Sequence, residues 1–172
     1  MVIRQIEADD IPALAEFARW TYAIAFGGSF KSDDLEHHLG ERLSDDYFGE
    51  AMHQDVFLIA EGPPGLVGFV QFGISHAETA APGDQELRRI YVHPDFQSQK
   101  IGSSLIEAAL GHPRLRNAPA IYLDVWERNH RARALYERYG FAVVGSRKFV
   151  LASGEADDSD LIMVRCPSGG SP

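Results

Sequence analysis

Apolar and polar residues alternate from Val2 to Ile6, the period of a half-buried strand. Asp9 then supplies a helix N-cap and Pro12 suits the opening turn. The helix is expected to run to about Phe26, where Gly27-Gly28 stops it. Ser32 caps a second helical stretch that continues to about His53, with a break near Leu43-Ser44. Val56 to Ala60 and Val67 to Ile74 are β-rich runs joined by Gly62-Pro63-Pro64-Gly65, whose turn chemistry predicts a hairpin. Past a loop at Glu78 to Asp84 comes a fourth strand, Glu86 to Val92, and then a helix from Ser103 to Leu110. Pro113 to Pro119 connects to a fifth strand, Ile121 to Trp126. Asn129 caps a helix to Tyr139 that Gly140 closes, and Phe141 to Val144 opens a strand that resumes after Gly145 toward Leu151. An acidic turn at Ser153 to Ser159, a last strand at Leu161 to Val164 and a frayed tail at Pro167 to Pro172 complete the chain.

This order predicts an α/β fold: a mixed, mostly antiparallel sheet of about seven strands flanked by about four helices. With 172 residues, 45% of them hydrophobic, there is material for one core, so residues 1–166 are expected to form a single domain followed by the 167–172 tail. No stretch approaches the roughly 20 apolar residues of a membrane span, and Met1-Val2-Ile3-Arg4 does not open a secretory signal. The expectation is a cytoplasmic protein with no membrane partner. Cys166, the one cysteine, has no internal disulfide mate, and the scattered histidines offer no cluster at metal-ligand spacing, so no metal is expected.

The formal net charge of −9 argues against nucleic acid and suits a cationic partner. Its distribution says more. Lys31 to Asp55 holds eight acidic residues against Lys31 and Arg42, a local −6, whereas Glu86 to Tyr136 holds eight basic residues against five acidic ones, a local +3. Cation-handling and anion-handling regions are thus separate along the chain, unless both are ordinary solvated surface.

The segment Gln97-Ser98-Gln99-Lys100-Ile101-Gly102 turns from the fourth strand into a helix N-terminus, where backbone N–H groups and the positive end of the helix dipole make an anion site. It lacks the Gly-Lys-Ser/Thr of a phosphate-loop NTPase and the Gly-x-Gly-x-x-Gly of a dinucleotide site. Gln97-x-x-Lys100-x-Gly102 resembles the acyl-CoA pyrophosphate loop of the GNAT superfamily of N-acetyltransferases, Gln/Arg-x-x-Gly-x-Gly/Ala. Ile90-Tyr91-Val92-His93-Pro94 before it and Asn129-x-x-Ala132-x-x-x-Tyr136-x-x-x-Gly140-Phe141 after it extend the likeness. Within the superfamily the chain is most similar to PaiA-type polyamine acetyltransferases, through Arg89-Ile90-Tyr91, Phe96-Gln97, Val125-Trp126-Glu127-x-Asn129 and Asp160-Leu161-Ile162-Met163. The resemblance covers Glu86 to Met163; the first half matches in its order of elements, with a faint echo at Thr21 to Phe26. Lys100 stands where the family has its first glycine, which is compatible with the turn if the backbone there has φ < 0 and strained if φ > 0.

The resemblance implies acetyl-CoA as co-substrate, held by Ile90, Tyr91, Val92, Gln97, Ser98, Gln99, Lys100, Ile101, Gly102, Ser103, Asn129, Ala132, Arg133 and Tyr136. Asn129 and Tyr136 lie seven residues apart, about 10 Å along one helix face, a spacing that suits a helix beside an extended cofactor. The family role of the tyrosine makes Tyr136 the proton donor to the leaving CoA thiolate, the alternative being a core aromatic beside a simple Asn129 cap. Acyl transfer requires a neutral amine although alkylammonium pKa values lie near 10, so a carboxylate acting through water is wanted, and Glu86 is the family-like candidate. Its rival reading is a surface acid. A backbone N–H from Tyr91 or Val92 is the family's donor to the acetyl carbonyl. The expected activity is direct acetyl transfer to a primary amine, a polyamine such as spermidine or spermine. The alternatives are a peptide or protein amine, or a non-catalytic acyl-CoA-binding regulatory domain. Strands after Phe141 could pair across a homodimer.

Overall fold

The computed structural model describes residues 1–26, 39–63, 65–148 and 159–166. Strands β1 (Val2–Gln5), β2 (Val56–Gly62), β3 (Gly65–Ile74), β4 (Gln85–Val92), β5 (Ile121–Trp126), β6 (Ala142–Lys148) and β7 (Ser159–Arg165) form one seven-stranded sheet in the order β1-β2-β3-β4-β5-β7-β6. Among the described residues the helices are α1 (Ile11–Phe26), α2 (Asp45–Ala51), α3 (Ile101–Gly111), α4 (Pro113–Arg116) and α5 (His130–Arg138), and residues 39–42 are helical as well. β1, β2 and β3 pair antiparallel, as do β5 with β7 and β7 with β6. β4 and β5 pair parallel through Gln85 with Ile121 and Glu86 with Tyr122, so the expected mixed, mostly antiparallel sheet is what forms.

The chain divides into two compact units. The first comprises Met1–Phe72 and Arg89–Ala109. In it Leu14, Ala15 and Ala18 of α1 and Phe48 of α2 pack with Phe57, Ile59 and Phe69 of the sheet. Phe48 meets Phe57 edge-on at 5.6 Å and Phe69 at 6.2 Å, and burying each such ring stabilises by about 1.5–3 kcal/mol. Arg4 clips the entry to α1, bonding Asp10 at 2.6 Å and Glu61 at 2.8 Å. The Arg4 guanidinium holds the Asp10 carboxyl down at about 2. The second unit takes in Gly73–Arg88 and the chain from Leu110 onward. Its β5 alternates strictly, burying Ile121, Leu123 and Val125, and Leu123 faces Met163 of β7, itself fully buried.

The structure moves several boundaries. The acid at the start of α1 is Asp10, not Asp9: its carboxylate accepts the Glu7 N–H at 2.8 Å, closing the turn Ala8–Asp10 ahead of the helix. The break near Leu43-Ser44 is present, and Ser44 there caps α2 by accepting the Tyr47 N–H at 3.1 Å; that helix ends at Ala51, short of His53. Helix α3 starts at Ile101, two residues before Ser103, and the connection after it contains α4, with Pro113 in its first turn and His112 as N-cap. The Gly27-Gly28 stop, the Ser32 cap, Pro64, the continuation to Leu151, most of the acidic turn and the tail lie outside the described residues.

Candidate active site

In the first unit β4 ends at Val92, and His93 N–H still bonds Val67 O at 2.9 Å. The turn Pro94–Phe96 reverses the chain, fastened by Phe96 N–H to His93 O at 2.9 Å and Gln97 N–H to Pro94 O at 3.1 Å. Ser98 and Lys100 then adopt φ of 69° and 64°. The condition that would have made Lys100 comfortable, φ < 0, is therefore not met. The left-handed region costs an L-residue with a Cβ about 1–2 kcal/mol, so the turn stores strain at two positions where glycine would carry none. Gln97, Ser98, Gln99 and Lys100 are exposed. Ser104 N–H makes the first bond of the α3 ladder, to Lys100 O at 2.9 Å, so the N–H groups of Ile101 and Gly102 stand ahead of that ladder at the positive end of the dipole.

The strained turn is held from below. Ile101 and Leu105 are buried, and both crowd Gly68 of β3. A Cβ built on Gly68 would come within 2.9 Å of Tyr91 O, 3.1 Å of Leu105 Cδ1 and 3.3 Å of Ile101 Cγ2. The absent side chain lets α3 seat against β3 beside the Tyr91 carbonyl. Ile90, Tyr91 and Val92 are half-buried. Tyr91 packs edge-on to Phe69 at 5.1 Å, and burial pushes its phenol above the usual tyrosine value, opposed by the Arg89 charge.

In the second unit Asn129 caps α5, its Oδ1 accepting the Ala132 N–H at 3.1 Å. Arg133 is turned along the helix to Glu137 at 2.8 Å. Tyr136 is buried, with its ring 6.0 Å from that of Phe141. Glu86 is neither a loose surface acid nor isolated: Oε2 accepts the His76 N–H at 3.1 Å and lies 3.1 Å from Arg88 Nη1. Its side chain is 20% exposed. Arg88 also donates to Ile74 O at 2.7 Å, which ties the pair to β3. Asp124 of β5 is pushed above the usual carboxylate range by burial and by repulsion from Glu86 and Asp160, against the attraction of Arg147, with which it pairs.

The expected residues thus fall into two groups. Ile90, Tyr91, Val92 and Gln97 to Ser103 belong to the first unit; Glu86, Asn129, Ala132, Arg133 and Tyr136 belong to the second. Gly68 and the fully buried Gln71 had no place in the sequence reading. A glutamine inside the apolar run Val67 to Ile74 was the available signal for the latter.

A family model described as "Acetyltransferase (GNAT) family" matches residues 16–141, spanning the β4–α3 turn and α5. The chain belongs to the GNAT acetyltransferase family. Spermidine N(1)-acetyltransferase of Thermoplasma acidophilum is 27% identical over 94% of each chain. The crystal structure of the PaiA N-acetyltransferase from that organism, in complex with coenzyme A, superposes with a TM-score of 0.77 at 23% identity, covering 96% of this chain and 98% of the other. The ribosomal-protein-S18-alanine N-acetyltransferase from Escherichia coli shares the fold at a TM-score of 0.71 and 20% identity, over 99% of this chain and 96% of the other. As a GNAT member the protein is an acetyl-CoA-dependent N-acetyltransferase acting on an amine. Among the described residues there is no group of three or more metal-ligating side chains, and no helix is long and apolar enough to cross a membrane.

Proposed function

We propose that the protein acetylates a polyamine such as spermidine or spermine, using the strained β4–α3 turn for the CoA pyrophosphate. The left-handed Ser98 and Lys100 carry this reading: they turn the chain so that the N–H groups of Ile101 and Gly102 lead the α3 dipole, the geometry an anion requires. The Ile101 and Gly102 N–H groups are the backbone donors, with Gln97, Ser98, Gln99, Lys100 and Ser103 around them; the Gln99 N–H is given to Phe96 O at 3.4 Å. Asn129, Ala132 and Arg133 serve the pantetheine, and Ile90 to Val92 serve the thioester, whose carbonyl oxygen accepts a backbone N–H from Tyr91 or Val92.

The amine nitrogen attacks the acetyl carbonyl carbon, the C–N bond forms and the C–S bond breaks. Tyr136 O–H protonates the departing thiolate. The proton lost by the amine passes through water to Glu86, whose carboxylate His76 N–H and Arg88 orient from Oε2, leaving Oε1 for the water. The choice of a polyamine rests on the spermidine acetyltransferase likeness and on charge. Among the described residues, an open pocket of about 450 Å³ in the first unit is lined by Glu41, Asp46 and Glu50 with Tyr47 and Arg42. Carboxylates so placed attract a multivalent cation and lose that attraction with salt.

The test is competition. Purified protein given acetyl-CoA with equimolar spermidine and a peptide bearing a free N-terminal amine is expected to acetylate spermidine first, with a KM for it that rises with salt. Preferred peptide acetylation would overturn the polyamine assignment, and coenzyme A binding with no transfer to any amine would make the domain a binding module. Tyr136→Phe is expected to lower kcat about 10- to 100-fold, within the range of acid catalysis, while leaving acetyl-CoA affinity within a few-fold. Unchanged kcat removes Tyr136 from the role.

A further inference from the structure

Gln71, in the middle of β3, is fully buried and is the hub of a charged chain confined to the first unit. Its Nε2 donates to Asp55 Oδ2 at 2.7 Å and to the Tyr47 hydroxyl at 3.1 Å. Its Oε1 accepts from Arg89 Nη1 at 2.9 Å. The amide therefore has one allowed orientation, nitrogen toward the anion and oxygen toward the cation, and it bridges two opposite charges. Arg89 is fixed further by the Tyr47 ring, with its Cζ 4.8 Å from the centroid. Two residues along the strand, Tyr91 lies in the field of the same guanidinium.

We infer that Gln71 is a positioning residue for acetyl transfer, fixing through Arg89 the β4 segment that carries Tyr91 and Val92. The inference rests on the proposed use of that segment for the thioester. The physical case is one of directional restraint. Packing of Tyr91 on Phe69 settles where the ring lies but tolerates small slips of the strand along its axis. A hydrogen-bonded amide clamped between charges does not tolerate such slips, because each costs a charge-assisted bond inside the protein. Backbone donors to a developing oxyanion act only when placed within a few tenths of an ångström, and a displacement of about 1 Å costs on the order of 100-fold in rate. A fully buried glutamine in an otherwise apolar strand is dear to keep for packing alone, since a methionine of similar shape would fill the site with no polar group to satisfy.

The network supplies its own rescue. Gln71→Glu keeps the acceptor for Arg89 but sets a second carboxylate against Asp55. Adding Asp55→Asn exchanges amide and carboxylate between the two positions, restores a donor-to-acceptor contact and returns the net charge of the chain of groups to its original value. Gln71→Met is expected to lower kcat for the amine about 10- to 100-fold with KM for acetyl-CoA within about twofold. Gln71→Glu should also be slow, and the double variant Gln71→Glu with Asp55→Asn should recover most of the rate. Amide hydrogen exchange supplies a readout independent of turnover: Tyr91 and Val92 should exchange faster in Gln71→Met than in the parent, and the double variant should reverse this. Unchanged kcat with unchanged exchange at Tyr91 and Val92 overturns the inference, as does a rate that follows thermal stability with no recovery in the double variant. If the parent protein transfers acetyl to no amine, the proposed function fails, and the exchange experiment still decides whether Gln71 holds β4.

Discussion

Two helices in this molecule begin in opposite ways. At α5 the first turn is closed by a side chain, Asn129 Oδ1 accepting the Ala132 N–H, in the manner that favours asparagine at an N-cap. At α3 the entry is made by backbone, two left-handed non-glycine residues, Ser98 and Lys100, immediately before the helix. The first arrangement lowers the energy of the helix end locally. The second raises it, so the compensation must lie elsewhere, in Ile101 and Leu105 buried against the bare Cα of Gly68. Strain held in place by packing keeps the turn from relaxing, and a preformed anion site would need just that.

The packing beneath α3 is most vulnerable at Gly68. Gly68→Ala adds a Cβ that would meet the Tyr91 carbonyl oxygen at 2.9 Å, a backbone atom that moves only with β4 itself. Overpacking of this kind costs about 1–3 kcal/mol, and the variant is expected to melt lower by several degrees. It should also bind coenzyme A more weakly than its lost stability explains, because the support of the α3 turn is displaced. Thermal unfolding together with a coenzyme A titration reads both. A variant as stable as the parent would show that α3 seats equally well with a Cβ at position 68.

The next break is at the other helix start. Asn129→Ala removes the cap and should cost about 1 kcal/mol in thermal or denaturant unfolding, with Asn129→Asp recovering most of it. Lower affinity for acetyl-CoA in Asn129→Asp, at near-parent stability, separates a cofactor contact from the cap. Equal affinity in the parent and Asn129→Asp would confine Asn129 to the helix.

These two starts also mark what the chain's pattern discloses and what it hides. The Asn129 cap was legible because it is a local side-chain bond to a residue three positions on, and so were the Ser44 break and the β2–β3 hairpin, each fixed by chemistry within a few residues. The start of α3 at Ile101 was not, because nothing local announces a left-handed lysine; its φ is imposed by contacts between α3 and β3, far apart in sequence. The same limit applies to the Asp55–Gln71–Arg89 chain, assembled from three separate segments. Glu86 lies between these cases. Its place on the fourth strand was legible in the sequence, but its pairing with Arg88 and the His76 N–H that completes its environment, from a loop no periodicity describes, were not.

Lys100→Gly removes a Cβ from a residue with φ of 64°, a relief of about 1–2 kcal/mol in the folded protein. Glycine also gives the unfolded chain more freedom, which takes back about 0.5–1 kcal/mol. The net gain should therefore be about 0.5 kcal/mol, a rise of a degree or two in Tm, close to the limit of a careful melt. Coenzyme A affinity carries the decisive reading. If Lys100 serves only as a strained stand-in for glycine, Lys100→Gly binds as well as the parent or better, at every ionic strength. If its ammonium contacts the pyrophosphate, the variant binds more weakly at low salt and converges on the parent as salt screens the lost charge. A destabilised Lys100→Gly would contradict both, and would mean that the turn is held by the lysine side chain and not by the packing beneath α3.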